Sequence, residues 1–209
     1  MKRVLIVGAG GHAQVVADAL LGMVREEQQL VVIGFLDDAA TLHGQQFLGL
    51  PVLGPLASIN EIPHDAIVLG IGNNQVRRRL YHHLQDSEKF ITAIHPRAVV
   101  AKDVPIGSGT VLCAGATVNT GSIVGKNVIL NTNCTVSHHN RVADFAQVAD
   151  GATTGGEVTI EEGVFVGLAA TILPRRRIGK WAVVGAGAVV IRDVPDGVTV
   201  VGVPARPIR

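Results

Sequence analysis

Aromatic residues make up only 3% of this 209-residue chain, although 47% of it is apolar. Core volume must therefore come from Val, Ile, Leu and Ala, and with 25 glycines the composition fits a narrow, repetitive core. Charge of one sign is missing too: the formal net charge is +1, with no long run of either sign. That excludes an extended surface for nucleic acid or membrane. The local basic clusters are Arg77 to Arg79 and Arg175 to Arg177. Two cysteines, Cys113 and Cys134, are too few and too far apart for a zinc knuckle or a redox pair. No apolar run reaches transmembrane length. The opening "MKRVLIVGAGG" has a short apolar stretch that runs straight into a glycine turn, so it reads as a first strand and not as a signal peptide. The expected setting is a reducing, cytoplasmic compartment.

What is present falls into two halves with different periodicity. Residues 1–95 alternate strand-like and helix-like segments. "RVLIVGAG" is a buried strand entering a glycine turn, "HAQVVADALLGMV" has helical spacing, and "LVVIGFLDD" is a second strand ending in two acids. "AIVLGIGNN" and "QVRRRLYHHL" add a third strand and an amphipathic helix. The order predicts a small parallel α/β domain with a Rossmann-like start.

From Val100 an apolar residue recurs every six positions through Ile106 and Leu112 to Val190, broken only by Thr154. Six matches neither a helix nor a simple strand. It fits a triangular coil of about 18 residues whose sides are short strands, so residues 96–209 form an all-β second domain. Four residues after each apolar position the side chain is usually small or β-branched, with Asn140 and Arg176 as exceptions.

"GAGGHA" (Gly8 to Ala13) follows a strand and opens a helix, the context in which glycines let backbone approach a phosphate at a helix N-terminus. Asp37 and Asp38 end the second strand, where an acid can meet a ribose or a base. Fewer than 100 residues precede the repeat, which suits a smaller nucleotide better than a dinucleotide; a tight turn without ligand is the plain alternative. Gly70, Gly72 and Asn73 sit at the end of the third strand, where Asn73 and Asn74 either meet ligand or cap the next helix. His64, His82 and His83 read as solvent-facing.

In "NTNCTVSHHNRV" (131 to 142) the six-residue register turns Val136 inward and leaves His138 and His139 at a corner. Asp144 and Asp150 are nearby acids without metal-ligand spacing, so no metal is expected. A corner imidazole suits a general base, and two plain surface histidines are the alternative.

The chain resembles the two-domain hexapeptide-repeat sugar acetyltransferases. That group includes the bacterial nucleotide-amino-sugar N-acetyltransferases of bacillosamine, viosamine and perosamine type, and the sialic acid O-acetyltransferase-like proteins. The resemblance rests on "GAGGHAQVV", "GFLDD", "ILNTNCTVSHH", "VVGAGAVVIRDV" and "VVGVPARPI". It implies a left-handed parallel β-helix, acetyl-CoA as co-substrate, and a nucleotide-linked 4-amino-4,6-dideoxy sugar as acceptor. It also implies a homotrimer with active sites between subunits. His138 matches the family's general base. His139 stands where the family usually has Glu or Asp, so an ionic partner is lost unless Asp144 or Asp150 fills in. The nucleotide-sugar side matches Gly10, Gly11, His12, Asp37, Asp38 and Gly72, with Asn131 near the base. Gln147, Leu168 and Ala186 match the acetyl-CoA side, and Arg175 to Arg177 are candidates for its phosphates. Sugar O-acetylation and a catalytically weakened trimeric scaffold are the rival functions.

Overall fold

The computed structural model describes residues 1–25 and 29–208. It divides into two compact units, Met1–Pro96 and Arg97–Arg209. The first unit is built on a five-stranded sheet. Strand β1 (Lys2–Val7) pairs in parallel with β2 (Leu30–Leu36) on one side and with β5 (Ala66–Leu69) on the other. Because the chain leaves β1 toward β2 and later returns to its opposite edge, a crevice opens at the carboxyl ends of these strands. Val4 to Val7 are fully or almost fully buried, as a parallel strand covered on both faces requires. Helix α1 (Gly11–Arg25) covers one face with Ala13, Val16, Ala17 and Leu20. Helix α2 (Asn74–Leu84) contributes Leu84, which packs with Leu5, Leu36, Ile67 and Leu69.

The structure adds a hairpin absent from the sequence reading. β3 (Gln46–Phe47) runs antiparallel to β4 (Leu50–Gly54), and β4 extends the sheet in parallel from β2. These strands are too short, and too rich in glycine and proline, to show alternation. His64 also departs from expectation. Its side chain and that of Glu88 are each only 9% exposed, and Nε2 lies 2.8 Å from the Glu88 carboxylate. Nδ1 contacts the Ile62 carbonyl oxygen at 2.7 Å. A loop histidine thus ties the strand β5 entry to the segment after α2.

The second unit is a triangular parallel β-helix of two-residue strands. The pairing offset is 18 residues: Ile129 lies beside Val111 on one coil and Gln147 on the next. Every residue of the six-residue series from Leu112 to Val190 is at most 2% exposed. Near the end the offset shortens, with Val184 paired to Val200 and Ile178 bridged to Val194. One residue per six turns the corner in the left-handed conformation, which Asn133, His139, Glu157 and Arg175 adopt with φ between 57° and 60°. Asn and His tolerate that region better than most side chains.

Candidate active site

Two regions carry the candidate residues named from the sequence. In the first unit, Gly8 turns the chain out of β1 with φ of +101°, a conformation that a Cβ would strain. Its N–H donates to the Leu36 carbonyl at 2.6 Å. Gly10 and Gly11 then open α1 with nothing within 4 Å of where a Cβ would stand, so the backbone face is open to an incoming group. Ala13 packs on Gly70, which allows α1 to approach the end of β5 closely. Gly72 lies next to His12, its Cβ direction 3.9 Å from the His12 Cβ.

Asp37 turns out to brace this turn. Its carboxylate accepts from the Ala9 N–H at 2.8 Å and from the Ala39 N–H at 2.9 Å. Asp38 accepts from the Leu56 N–H at 2.8 Å and lines a crevice of about 210 Å³ together with Gly8, Ile71 and Arg79. Exposed Arg79 was not singled out in the sequence, because it lies inside an ordinary basic run on a helix. Its neighbour Arg77 is 1% exposed and donates to the carbonyls of Ile71 and Gly72 and to Asn74 Oδ1. Burial lowers its pKa to about 9, so it stays cationic at neutral pH while holding the third glycine turn. Asn73 caps α2 by accepting from the Val76 N–H at 3.0 Å, which decides its role in favour of the helix cap.

In the second unit, His138 and His139 stand exposed at one corner, as expected. Their Nδ1 atoms are 3.1 Å apart and their rings are nearly perpendicular, at 80°. Each ring lies over a glycine. The His138 imidazole occupies the space above Gly156, where a Cβ would run into Cε1 and Nε2. The His139 ring covers Gly121, where a Cβ would meet Cδ2 at 2.7 Å and Nε2 at 2.8 Å.

Polar groups buried inside the prism hold this corner, and they explain two irregularities of the repeat, Thr154 and Asn140. Thr154, the break in the apolar series, accepts from the Ser137 N–H at 3.1 Å and donates to the Thr135 carbonyl at 3.4 Å. Asn140 is fully buried. Its Nδ2 donates to the carbonyls of Ser137 at 2.6 Å and Gly155 at 3.0 Å, and its Oδ1 accepts from the Val158 N–H at 3.0 Å. Ser122, one coil earlier, donates to the Ser137 carbonyl at 2.8 Å and accepts from the Asn140 N–H at 3.1 Å. In an apolar prism each of these groups would be costly if left unpaired. Replacing Asn140 by Ala should therefore cost about 3 kcal/mol of β-helix stability, since several buried partners lose their bonds at once. Denaturant unfolding followed by circular dichroism measures this, and an N140A midpoint equal to that of the parent would contradict it.

The other candidate residues gather at a different corner of the coil. Asn131 donates from Nδ2 to Asp150 at 3.2 Å, and the backbones of Asp150, Leu168 and Ala186 stack on consecutive coils. Gln147 is buried on the strand that leads into this corner. Asp144 accepts from the Lys126 N–H at 2.7 Å. Both acids considered as substitutes beside His138 are thus engaged elsewhere. Arg177 is paired with Glu161 at 3.0 Å and Asp196 at 3.2 Å, and Arg176 lies 4.0 Å from Asp193, so two of the three clustered arginines serve their own coil ends. Cys134 is fully buried, and burial pushes its thiol pKa far up, which suits packing and not nucleophilic attack. Among the described residues no group of three or more His, Cys, Asp or Glu side chains is placed to hold a metal ion. No helix among them is long and apolar enough to cross a membrane.

Known proteins match both units. Residues 3–84 match the PglD N-terminal domain family. The chain is 31% identical over 217 aligned residues to a GDP-perosamine N-acetyltransferase of Escherichia coli, with 98% of this chain and 95% of that one covered. A 120-residue stretch is 38% identical to the UDP-N-acetylbacillosamine N-acetyltransferase of Bacillus subtilis, covering 54% of this chain and 52% of that one. A histidine-to-asparagine mutant of perosamine N-acetyltransferase from Caulobacter crescentus, solved with CoA and GDP-perosamine, superposes with a TM-score of 0.92 at 32% identity. It covers 100% of this chain and 98% of its own. The acetyltransferase domain of PglB from Neisseria gonorrhoeae, in complex with acetyl coenzyme A, gives a TM-score of 0.91 at 33% identity with 99% of both chains covered. The expected fold, a Rossmann-like domain followed by a left-handed parallel β-helix, holds. With matches that span nearly its whole length, the chain belongs to the two-domain hexapeptide-repeat sugar acetyltransferases.

Proposed function

We propose that this protein transfers the acetyl group of acetyl-CoA to the amino group of a nucleotide-linked 4-amino-4,6-dideoxy sugar, with His138 as general base. The observation that carries the reading is the His138 corner. An exposed imidazole is fixed at Nδ1 by its neighbour and given room by Gly156, and its other nitrogen is left to take a proton. The sugar amine attacks the thioester carbonyl and its proton passes to His138 Nε2; as the C–S bond breaks, His138 returns that proton to the sulfur, so that CoA leaves as the thiol without a covalent acyl-enzyme. Both cysteines are free and buried, which agrees with direct transfer and with a reducing cytoplasm.

The nucleotide is held at the Gly8–His12 turn, with its diphosphate at the N-terminus of α1 and Asp38 and Gly72 beside it. Asp37 acts one step back, by fixing the turn through the Ala9 N–H. Gln147, Leu168 and Ala186 form the acetyl-CoA side, and Asn131 serves the sugar. The complete centre arises in a homotrimer, between subunits, as an outward-facing base suggests. Relatives that act on GDP-perosamine and UDP-N-acetylbacillosamine support the acceptor class.

The test is CoA release from acetyl-CoA against UDP-, dTDP- and GDP-linked 4-amino sugars, with free sialic acid alongside. One nucleotide-linked amino sugar should turn over and sialic acid should not. Turnover of sialic acid alone would move the assignment to O-acetylation. Acetyl-CoA binding with no turnover of any acceptor would favour the scaffold.

A further inference from the structure

His138 takes up a positive charge when it removes a proton, yet its nearest partner is a neutral-capable imidazole and not a carboxylate. A base so placed gains from negative charge on the far side of that partner. Residues 103, 121 and 139 are spaced by 18, the coil repeat, and therefore stack in one column. The His139 N–H donates to the Thr120 carbonyl at 3.1 Å, and the His139 ring leans with its Nε2 edge over Gly121. On the same two residues, from the coil before, sits Asp103. Its Oδ2 accepts from the Gly121 N–H at 2.7 Å and from the Thr120 hydroxyl at 2.8 Å.

Other charges face this corner from above. Glu157 follows His139 in the column and donates its N–H to the His138 carbonyl at 3.0 Å, and Arg175 stands one coil further. The Glu157 side chain is exposed, so solvent screens it. Asp103 differs because two donors fix its carboxylate on the side toward which His139 leans.

Resting on the reading of His138 as the base, we propose that Asp103 and His139 are positioning residues for His138. Asp103 supplies the negative charge, and His139 couples that charge to the base through the Nδ1–Nδ1 contact. The proton count is simple. His139 carries its proton on Nε2, toward Gly121 and Asp103, and its Nδ1 accepts from the His138 Nδ1–H. The proton from the amine enters at His138 Nε2 and leaves from there to the CoA sulfur, and no proton moves between the two rings. The Asp103 carboxyl is held below the usual carboxylate range, first by the Gly121 N–H, then by the Thr120 hydroxyl, with attraction to His139 a smaller contribution.

The test uses Asp103→Asn, which keeps an oxygen acceptor for Thr120 and Gly121 and removes only the charge. Histidine-selective NMR titration of the full-length protein should show the imidazoles of the pair losing their proton about 0.5 pH lower in D103N than in the parent, as expected for one carboxylate partly screened by water. kcat should fall about 2- to 3-fold, since about 0.5 pH of base strength is worth at most about 3-fold, and the acidic limb of the pH profile should move the same way. In a His139→Asn background, which the left-handed corner accepts, the additional effect of D103N on kcat and on the acidic limb should vanish. An unchanged titration in folded D103N overturns the proposal. So does a D103N effect of equal size with or without His139. A titration shift with no change in kcat would instead sustain the coupling and remove His138 from the base role, which separates the two failures.

Discussion

Gly156→Ala should cost about 10- to 100-fold in kcat while shifting the melting temperature by no more than about 2 °C. The atoms that a new Cβ would meet belong to the His138 ring, the far end of a side chain on an open corner. The imidazole can swing out into water, so folding loses almost nothing, as with most surface substitutions. Catalysis loses the base from its place, because a proton-transfer group must stand within hydrogen-bond reach of the reacting amine. His138→Ala sets the scale: loss of a general base costs about 100-fold or more. Gly156→Ala should approach that limit without passing it, and adding it to His138→Ala should cost little more. Steady-state CoA release with a turned-over nucleotide amino sugar, beside thermal melts, makes the comparison. A G156A enzyme with parental kcat would mean that the imidazole works from another position, or not at all.

The same residue shows where sequence reading stops. The six-residue period made the β-helix, its inward positions and the corner location of His138 legible, because chain geometry repeats every coil and leaves its trace in residue type. Glycine at 156 left no comparable trace among 25 glycines. Its reason is a ring 18 positions earlier, one coil away, in register only after folding. Thr154 and Asn140 looked like faults in a pattern and prove to be the clamps of the His138 corner. Polar residues in apolar positions are the irregularities most worth following, since burial obliges them to have partners. In the first unit the glycine turn and the paired acids were legible from motif and context. That Asp37 serves the turn itself was not, for a carboxylate reads the same whether it meets backbone or ligand. The hairpin at Gln46–Gly54 and the crevice position of Arg79 lacked any local signal. Each depends on where β4 and α2 come to rest against the rest of their unit.

Gly70→Ala should lower the melting temperature of the N-terminal unit by about 4–24 °C and raise the KM for the nucleotide sugar. Here the atoms a Cβ would meet are Ala13 Cβ at 2.6 Å, Ala13 Cα at 2.7 Å and Ile6 Cγ2 at 3.1 Å. These are helix backbone and buried core, with no flexible end to give way. Helix α1 must lift from the end of β5, at a cost of about 1–3 kcal/mol for overpacking of this kind. For a unit of this size each kcal/mol is worth about 4–8 °C. Lifting α1 also moves Gly10, Gly11 and His12 at its first turn, where the proposed phosphate site lies. Gly10→Ala separates the two effects, because nothing within 4 Å opposes its Cβ. That variant should melt like the parent and still show a raised KM if the nucleotide diphosphate approaches the backbone there. In neither variant should acetyl-CoA binding change, since Gln147, Leu168 and Ala186, the proposed acetyl-CoA side, belong to the other unit. Differential scanning calorimetry with isothermal titration of each ligand distinguishes these outcomes. A G10A protein with parental KM would place the nucleotide away from the glycine turn and leave "GAGGHA" with a purely structural task.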